Sequence, residues 1–203
     1  MSRMSRLFAH RAGGTRSSIF RNISTVELGT AYENHSISIF NRLGARVERT
    51  GGAHDNGVDF RGSWALPSQP LFYMVGQCKY YERKKIGPSV IREWEGVMSR
   101  QELDTLGVVV ASSGFTSSCV QATLSSIYPI ALVTIDGESE QNGHWTHAEE
   151  AIRGFVWNKA AEYFIGKLAV AKKHYDLFVV EQADPTKFTI QLMWDGQPLP
   201  LLQ

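Results

Sequence analysis

The sequence predicts an α/β fold in which helices flank a central mixed β-sheet. Two runs, TLGVVVA at 105–111 and PIALVTI at 129–135, are continuously apolar and rich in β-branched residues, as in strands buried on both faces. Segments with apolar residues at helical spacing precede both runs. A chain of 203 residues, 43% of them hydrophobic, can bury one substantial core. We therefore expect one α/β core with appended segments.

Three further strands are expected before the buried runs. ARVERT predicts a short first strand, and the glycine-rich GGAHDNGVDFRG predicts a turn that leads to a second. That second strand is expected around Val58, Asp59 and Phe60, and residues 71–80 form the third. The core order is then helix, three strands, helix, strand, helix, strand.

Three helices are expected around these strands. The first covers residues 27–43 and stops at Gly44. The second follows Ser89 as its N-cap, and the third follows Thr116 or Ser117. The third helix is expected to bury an apolar stripe of Val120, Leu124 and Ile127.

The chain divides into a leader (1–26), the core (27–137) and a C-terminal extension (138–203). Residues 148–175 predict a long, partly amphipathic helix, and LFVVEQ and FTIQLMWDG predict strands or a hairpin after it. We expect this helix and strand extension to pack on the core.

The leader has the composition of a mitochondrial transit peptide, which implies the mitochondrial matrix. It has five serines and no acidic residue before Glu27, and its five basic residues are Arg3, Arg6, Arg11, Arg16 and Arg21. A disordered basic arm that binds nucleic acid is the alternative. Without those arginines, 16 basic residues face 20 acidic ones. Nucleic acid could then bind only through a local basic patch.

Composition also excludes several classes of protein. Cys78 and Cys119 are far apart in apolar contexts, which disfavours a disulfide scaffold or a structural zinc site. No run approaches eighteen apolar residues, so no membrane-spanning helix is expected.

A polar pattern in the third predicted strand, VGQCKYY, indicates a metal-assisted site. Gln77 and Lys79 lie two residues apart, so they share a face, and Asp59 can reach them from an antiparallel neighbour. Mg²⁺ prefers oxygen ligands, here Asp59, the side-chain oxygen of Gln77 and the carbonyl of Cys78. Lys79 would orient or deprotonate the attacking water and offset charge on a phosphate. Taken singly, each residue has a plainer interpretation as a turn former or a solvated side chain.

Five stretches resemble, in order, the Mrr-like branch of the PD-(D/E)xK restriction-endonuclease superfamily. They are GTAYEN, GGAHDNGVDF, VGQCKYY, SVIREWEGV and GVVVASSGFTSSCVQA, within residues 27–135. With its leader, the chain looks like fungal mitochondrial proteins of this type that are required for respiratory growth.

The resemblance implies a restriction-endonuclease-like core, with Asp59, Gln77 and Lys79 as catalytic residues and Glu33 as a fourth member that binds a second metal ion or a metal-bound water. Glu33 is alternatively an ordinary exposed helical residue. Gln77 stands where the wider superfamily has a carboxylate, which removes one negative charge and weakens metal affinity. The implied cofactor is Mg²⁺, with Mn²⁺ as a substitute.

A basic stretch beside this site is expected to bind the nucleic-acid backbone. Its candidate contacts beyond Lys79 are Arg83, Lys84, Lys85, Arg92 and Arg100. Tyr80 and Tyr81 are expected either to contact sugar or bases or to belong to the core.

Residues outside this pattern have weaker indications. His54 and Asp55 could contact DNA or a metal ion, but their place in a glycine-rich turn favours a turn role. Gln121 could approach the site. Ser112, Ser113 and Thr116 suit helix capping better than phosphate binding.

Together these observations predict a mitochondrial, metal-dependent deoxyribonuclease that acts on mitochondrial DNA. It could act as a homodimer. A catalytically inactive DNA-binding or scaffold protein is the second hypothesis. A matrix protein with no nucleic-acid role, supporting a respiratory complex, is the third. The sequence leaves open whether the substrate is duplex, single-stranded, branched or modified DNA, or RNA.

Overall fold

A computed structural model describes residues 24–50, 57–137, 151–173 and 189–199 of the chain. Four helices are described: α1 (Thr25–Arg42), α2 (Ser89–Met98), α3 (Ser117–Ser125) and α4 (Glu162–Ile165). Nine strands are described: β1 (Ala45–Arg49), β2 (Phe60–Trp64), β3 (Phe72–Lys79), β4 (Thr105–Ala111), β5 (Ile130–Ile135), β6 (Ile152–Trp157), β7 (Leu168–Lys173), β8 (Thr189–Trp194) and β9 (Gln197–Pro198).

The central sheet is mixed, as predicted, and its six strands lie in chain order from β1 to β6. The pairs β1–β2, β2–β3 and β5–β6 are antiparallel, whereas β3–β4 and β4–β5 are parallel. The parallel pairs are connected through α2 and α3, since parallel neighbours need a crossover. The carboxyl ends of β3 and β4 therefore meet at one end of the sheet.

Strand β4 shows how the sheet separates two apolar layers. Every residue of β4 is buried, as its β-branched sequence predicts. Val108 and Val110 contact the layer that contains α1, and Val109 and Ala111 contact the layer that contains α2. This alternation follows from the two-residue period of a strand.

Helix α1 begins two residues before the predicted position because Ser24 caps it. The Ser24 hydroxyl accepts from the Glu27 N–H at 3.2 Å, and the Glu27 carboxylate accepts from the Ser24 N–H at 2.8 Å. These hydrogen bonds hold the pKa of Glu27 below its ordinary value. The helix ends at Arg42 with Leu43 as its C-cap, and Gly44 follows with a φ of 88°, a left-handed conformation that suits glycine.

Two predictions about helix ends and faces were wrong. Pro88, not Ser89, is the N-cap of α2, and Ser89 is its first helical residue. In α3, Thr116 caps as predicted, but the buried residues are Cys119 and Thr123. The stripe was wrong because Leu124 and Ile127 face outward, 46% and 82% exposed, and Val120 is only partly buried.

The second strand starts later than predicted, at Phe60, so Val58 and Asp59 precede it. Its first register pair with β3 is Phe60 opposite Gly76. The Phe60 ring occupies the space above Gly76, where an added Cβ would lie 1.9 Å from the ring. Glycine at 76 therefore lets β2 and β3 approach where the candidate site begins.

The C-terminal extension differs most from the prediction. The expected helix over 148–175 was wrong, because the described part of this range forms β6, α4 and β7. Strand β6 pairs with the otherwise open edge of β5, a tertiary constraint that local sequence does not reveal. Residues 148–150, 174–175 and the predicted strand LFVVEQ lie outside the described residues.

The predicted strand FTIQLMWDG is confirmed as β8. Asp195 and Gly196 have φ values of 50° and 78°, as a tight hairpin turn into β9 requires. Ile190, Leu192 and Trp194 of β8 belong to the same apolar cluster as α1. The described strand β8 therefore packs on the core. Among the described residues, no helix has the length and apolarity to cross a membrane.

Substituting Gly76 tests the close approach of β2 and β3. Gly76→Ala is expected to lower the free energy of unfolding by about 1–3 kcal/mol, because the new methyl group overpacks against Phe60. Gly96→Ala on α2 is the control, since nothing lies within 4 Å of its added Cβ. That control should stabilise by about 0.5–1 kcal/mol, and urea denaturation measures both. Equal stability of Gly76→Ala and wild type would contradict this packing.

Candidate active site

Asp59 lies where β2 approaches the end of β3, and two hydrogen bonds join it to that strand. Its N–H donates to the carbonyl of Gly76 at 2.8 Å, and its Oδ2 accepts from the Cys78 N–H at 2.6 Å. The Asp59 carbonyl also accepts from the Thr50 N–H after β1, at 2.9 Å. The carboxylate is therefore fixed beside the Gln77–Lys79 segment, as the predicted hairpin geometry requires.

Gln77 is buried and orients its amide through one described contact. Its Nε2 donates to the Gly57 carbonyl at 3.0 Å. Gly57 has a φ of 80°, and a Cβ there would come within 3.2 Å of Nε2. The Gln77 Oε1 is buried without a hydrogen-bond partner among the described residues. A buried acceptor in this state is unfavourable unless a further group satisfies it.

Several charged residues act on the pKa of the Cys78 thiol. Burial raises the pKa of the Cys78 thiol, and the Asp59 and Glu33 carboxylates raise this pKa further. A hydrogen bond from Ser36 and the Lys79 charge act in the opposite direction. Asp59, Glu33 and Lys79 therefore all influence one thiol at the end of β3, and that thiol stays protonated at neutral pH.

Glu33 of α1 forms an ion pair with Arg49. The Arg49 Nε, at the end of β1, lies 2.6 Å from the Glu33 Oε2, and the Arg49 guanidinium also donates to the Thr30 hydroxyl at 3.4 Å. The Glu33 side chain is 18% exposed, so it is not the freely solvated helical residue of the alternative interpretation. The preceding residue, Tyr32, donates its hydroxyl to the Ile135 carbonyl at 2.8 Å, which holds α1 on the sheet.

The segment after β3 is fastened to the segment after β4. Ser112 Oγ accepts from the Tyr81 N–H and donates to the Tyr81 carbonyl, both at 2.8 Å. Ser113 Oγ donates to the Lys84 carbonyl at 2.5 Å. Ile86 then pairs with the backbone of 114–116 through two bonds of 2.9 Å. The basic loop 82–85 thus has an ordered base next to Lys79.

The structure separates the predicted nucleic-acid contacts into two groups. Arg83, Lys84 and Lys85 are exposed on the loop after β3, and Arg92 is exposed on α2. Arg100 follows the C-terminal end of α2. Because the helix has ten residues, that end lies about 15 Å from the start of the helix, which the basic loop precedes. It lines an open groove with an accessible volume of about 1070 Å³, beside Arg46, Arg61 and Tyr73. Arg100 therefore lies apart from the basic loop.

Other candidate residues have structural roles or lie elsewhere. His54 and Asp55 are outside the described residues. Thr116 Oγ1 accepts from the Cys119 N–H at 3.2 Å, so its role is helix capping. Gln121 is exposed on α3.

Sequence reasoning missed Arg49 and the part played by Ser112. Arg49 looked like an ordinary polar residue of a short strand, and only the packing of α1 on β1 brings it to Glu33. Ser112 follows a fully buried strand, a position where parallel α/β sheets often carry functional residues. The position of Ser112 after β4 could therefore have indicated a functional role. Its contact with Tyr81 depends on how the segments after β3 and β4 meet.

The donor set fits a hard divalent cation only in part. The Asp59 carboxylate, the unsatisfied Gln77 Oε1 and the neighbouring Cys78 carbonyl are oxygen donors of the kind Mg²⁺ prefers. Within the described ranges, no group of three or more His, Cys, Asp or Glu side chains could hold a metal ion. Any site here has low negative charge and relies on neutral oxygens.

Comparison with known families identifies the class of this fold. The Mrr_cat model, described as restriction endonuclease, matches residues 28–138, more than half of the chain. The chain belongs to this restriction endonuclease family, and the resemblance expected from its motifs is confirmed. The core is therefore a restriction-endonuclease-like domain.

Two further proteins are similar to this chain. An uncharacterised mitochondrial protein of Schizosaccharomyces pombe is 31% identical over 152 residues, which cover 72% of this chain. The chain spans 57% of the length of that relative. The MspJI restriction endonuclease, solved with a 27-mer oligonucleotide, aligns with a TM-score of 0.41 and 23% identity. That alignment covers 50% of this chain and 25% of MspJI.

Substitution of Asp59 tests its structural contact with β3. Asp59→Ala is expected to lower the free energy of unfolding by about 1–3 kcal/mol, because the Cys78 N–H loses its acceptor. Asp59→Asn keeps an acceptor oxygen and should lose less. Urea denaturation measures both, with Glu48→Ala, an exposed carboxylate on β1, as the control. If Asp59→Ala were as stable as wild type, the hydrogen bond would not fasten this junction.

Proposed function

We propose that this protein is a mitochondrial, divalent-metal-dependent deoxyribonuclease that hydrolyses phosphodiester bonds, with a role in mitochondrial DNA maintenance and respiratory growth. The observation that carries the proposal is the Asp59 carboxylate held against β3 by the Cys78 N–H, on the strand that carries the unsatisfied Gln77 Oε1 and ends at Lys79. The restriction endonuclease family of residues 28–138 gives that arrangement its chemical context.

Asp59, Gln77 and the Cys78 carbonyl would hold the cation, which is Mg²⁺ with Mn²⁺ as a substitute. Such a cation, when bound, polarises a phosphate oxygen and lowers the pKa of water. Gln77 is preoriented for this role, because its Nε2 is bonded to Gly57 and its Oε1 is left without a described partner. The hydrogen bond from Cys78 holds the Asp59 carboxylate in place.

Lys79 supplies a positive charge next to the reacting phosphate in this proposal. In the overall reaction, a water oxygen bonds to phosphorus, the bond from phosphorus to O3′ breaks, and O3′ takes a proton. The products are a 5′-phosphate and a 3′-hydroxyl. Lys79 orients the water and offsets the negative charge that develops on the phosphate.

Glu33 is proposed as the fourth member of the site, with Arg49 as its partner. In the described structure the Glu33 carboxylate already bonds the Arg49 guanidinium. Glu33 would hold a second cation or a water only by sharing or leaving this ion pair. The Arg49 side chain of this pair is 41% exposed, and ion pairs at the protein surface contribute about 0.2–1 kcal/mol, so the rearrangement is accessible.

The basic loop is proposed to hold the DNA backbone beside Lys79. Arg83, Lys84 and Lys85 are three adjacent exposed cations on a loop fastened by Ser112 and Ser113. Each phosphate contact by a cation releases counterions, so binding should weaken as salt rises. Arg92 extends this surface along α2. Arg100 would contact only DNA that continues past the basic loop to the other end of α2.

The mitochondrial matrix is proposed as the location of the protein. The arginine-rich, acid-free composition of residues 1–26 supports it, and the S. pombe relative is named mitochondrial. Mitochondrial DNA is the substrate that this location offers. A homodimer, which would present two sites to two strands, remains a prediction.

A catalytically inactive DNA-binding or scaffold protein is the second candidate function. The neutral Gln77 favours it, as does the lack of a cluster of three acidic or metal-ligating side chains in the part of the chain that the structure describes. Such a protein would keep the basic loop and bind DNA without turning it over.

Hydrolysis by the full chain distinguishes these two functions. Linear, circular, single-stranded and branched DNA are incubated with Mg²⁺, Mn²⁺ or EDTA. Lys79→Ala is expected to lower the rate by about 10²–10³-fold, because one charge-stabilising group at the phosphate is lost. Lys159→Ala, which removes an exposed lysine paired with Glu162, should keep the wild-type rate.

Metal-dependent cleavage that persists in Lys79→Ala would contradict the proposed site. Salt-dependent DNA binding without cleavage, with affinity unchanged by Mg²⁺ or by Asp59→Asn, would establish the inactive alternative. Circular dichroism confirms that each variant folds.

A further inference from the structure

Two adjacent tyrosines after Lys79 have different environments. The Tyr80 ring packs against Tyr32, with centroids 5.5 Å apart, and it closely covers Gly137. Tyr80 is therefore partly buried and packed against the core. Tyr81, in contrast, is 45% exposed. This half-exposed aromatic ring lies two residues beyond a candidate catalytic lysine, and packing in the core does not explain its position.

Ser112 fixes the position of Tyr81. One hydroxyl satisfies both main-chain groups of Tyr81, accepting from its N–H and donating to its carbonyl at 2.8 Å each. The Ser112 N–H also donates to the Lys79 carbonyl at 3.2 Å. The backbone of Tyr81 is therefore anchored to the same residue as the backbone of Lys79, and its ring is presented to solvent from a defined base.

The residues that follow Tyr81 add positive charge to this surface. Arg83, Lys84 and Lys85 are exposed, and the Lys84 carbonyl is bonded by Ser113 at 2.5 Å. An aromatic ring next to cations is the combination by which proteins bind unpaired nucleic acid. The cations contact phosphates, and a base stacks on the ring.

We propose that Tyr81 is a stacking platform for an unpaired base next to the phosphate held at Lys79, and that Ser112 is its positioning residue. In a duplex both faces of an internal base are covered by neighbouring bases. The ring can therefore stack only on single strands, flaps or frayed ends. The substrate class is DNA with unpaired nucleotides at the cleavage site. This inference rests on the proposed nuclease function and makes it more specific.

The test compares the binding of a single strand and of the matching duplex to the full chain. Fluorescence anisotropy is measured with 20-nucleotide DNA in EDTA, which prevents cleavage, over a series of salt concentrations. The variants are Tyr81→Ala, Tyr81→Phe and Ser112→Ala. Tyr163→Ala is the control, because Tyr163 is 82% exposed. Tyr163 packs on Phe164, which in turn packs on Phe72 at the start of β3. Tyr81 follows the other end of that strand.

Tyr81→Ala is expected to weaken single-strand binding by about tenfold, because stacking on one base is lost. Duplex affinity and the salt dependence should stay unchanged, since the phosphate contacts remain. Tyr81→Phe keeps the ring and should restore single-strand affinity. Ser112→Ala should weaken single-strand binding while hydrogen exchange at residues 80–85 becomes faster. The Tyr163→Ala control should match wild type.

Three results would overturn the inference. Unchanged single-strand affinity in Tyr81→Ala would remove the platform and leave the proposed nuclease intact. An equal loss for both DNA forms with a reduced salt dependence would show that Tyr81 only supports the basic loop. If wild type bound neither form with a salt dependence, the proposed function itself would fail.

Discussion

The hydrogen bond from the Cys78 N–H to the Asp59 carboxylate is the contact on which the candidate site depends. This 2.6 Å hydrogen bond joins the residue that precedes β2 to the C-terminal end of β3. Gly76 permits this approach by leaving room for the Phe60 ring. Because β3 also pairs in parallel with β4, the same junction meets the segment that carries Ser112. A carboxylate, an amide oxygen, an ammonium and a basic loop therefore converge at one end of the sheet.

Charge distribution at this junction differs from that of a site built on several carboxylates. Gln77 contributes a neutral oxygen, and the Glu33 carboxylate is already paired with Arg49. A buried amide oxygen without a described partner is unfavourable by about 1–3 kcal/mol, which is a reason to expect a ligand for it. The negative charge of a DNA phosphate would supply part of what the protein lacks.

Much of the core could be predicted from the sequence, because its strands and helices carry strong local patterns. The β-branched runs predict β4 and β5, and apolar residues at helical spacing predict α1. Each pattern reflects which faces of the element are buried. The pairing of Asp59 with β3 followed from the hairpin order. Strand β6 of the C-terminal extension could not be predicted, because it exists as a strand only by pairing with β5. Contacts such as Arg49 with Glu33 and Ser112 with Tyr81 depend on how distant segments meet.

Direct titration with Mn²⁺ tests most directly whether Asp59 and Gln77 form a metal site. Calorimetry compares wild type with Gln77→Glu and Asp59→Asn, and Glu48→Gln on the exposed face of β1 is the control. The account predicts that Gln77→Glu binds Mn²⁺ about tenfold or more tightly, because a carboxylate replaces a neutral amide oxygen. Asp59→Asn should lose measurable binding, and Glu48→Gln should match wild type. Equal Mn²⁺ affinity in all four proteins would contradict the account.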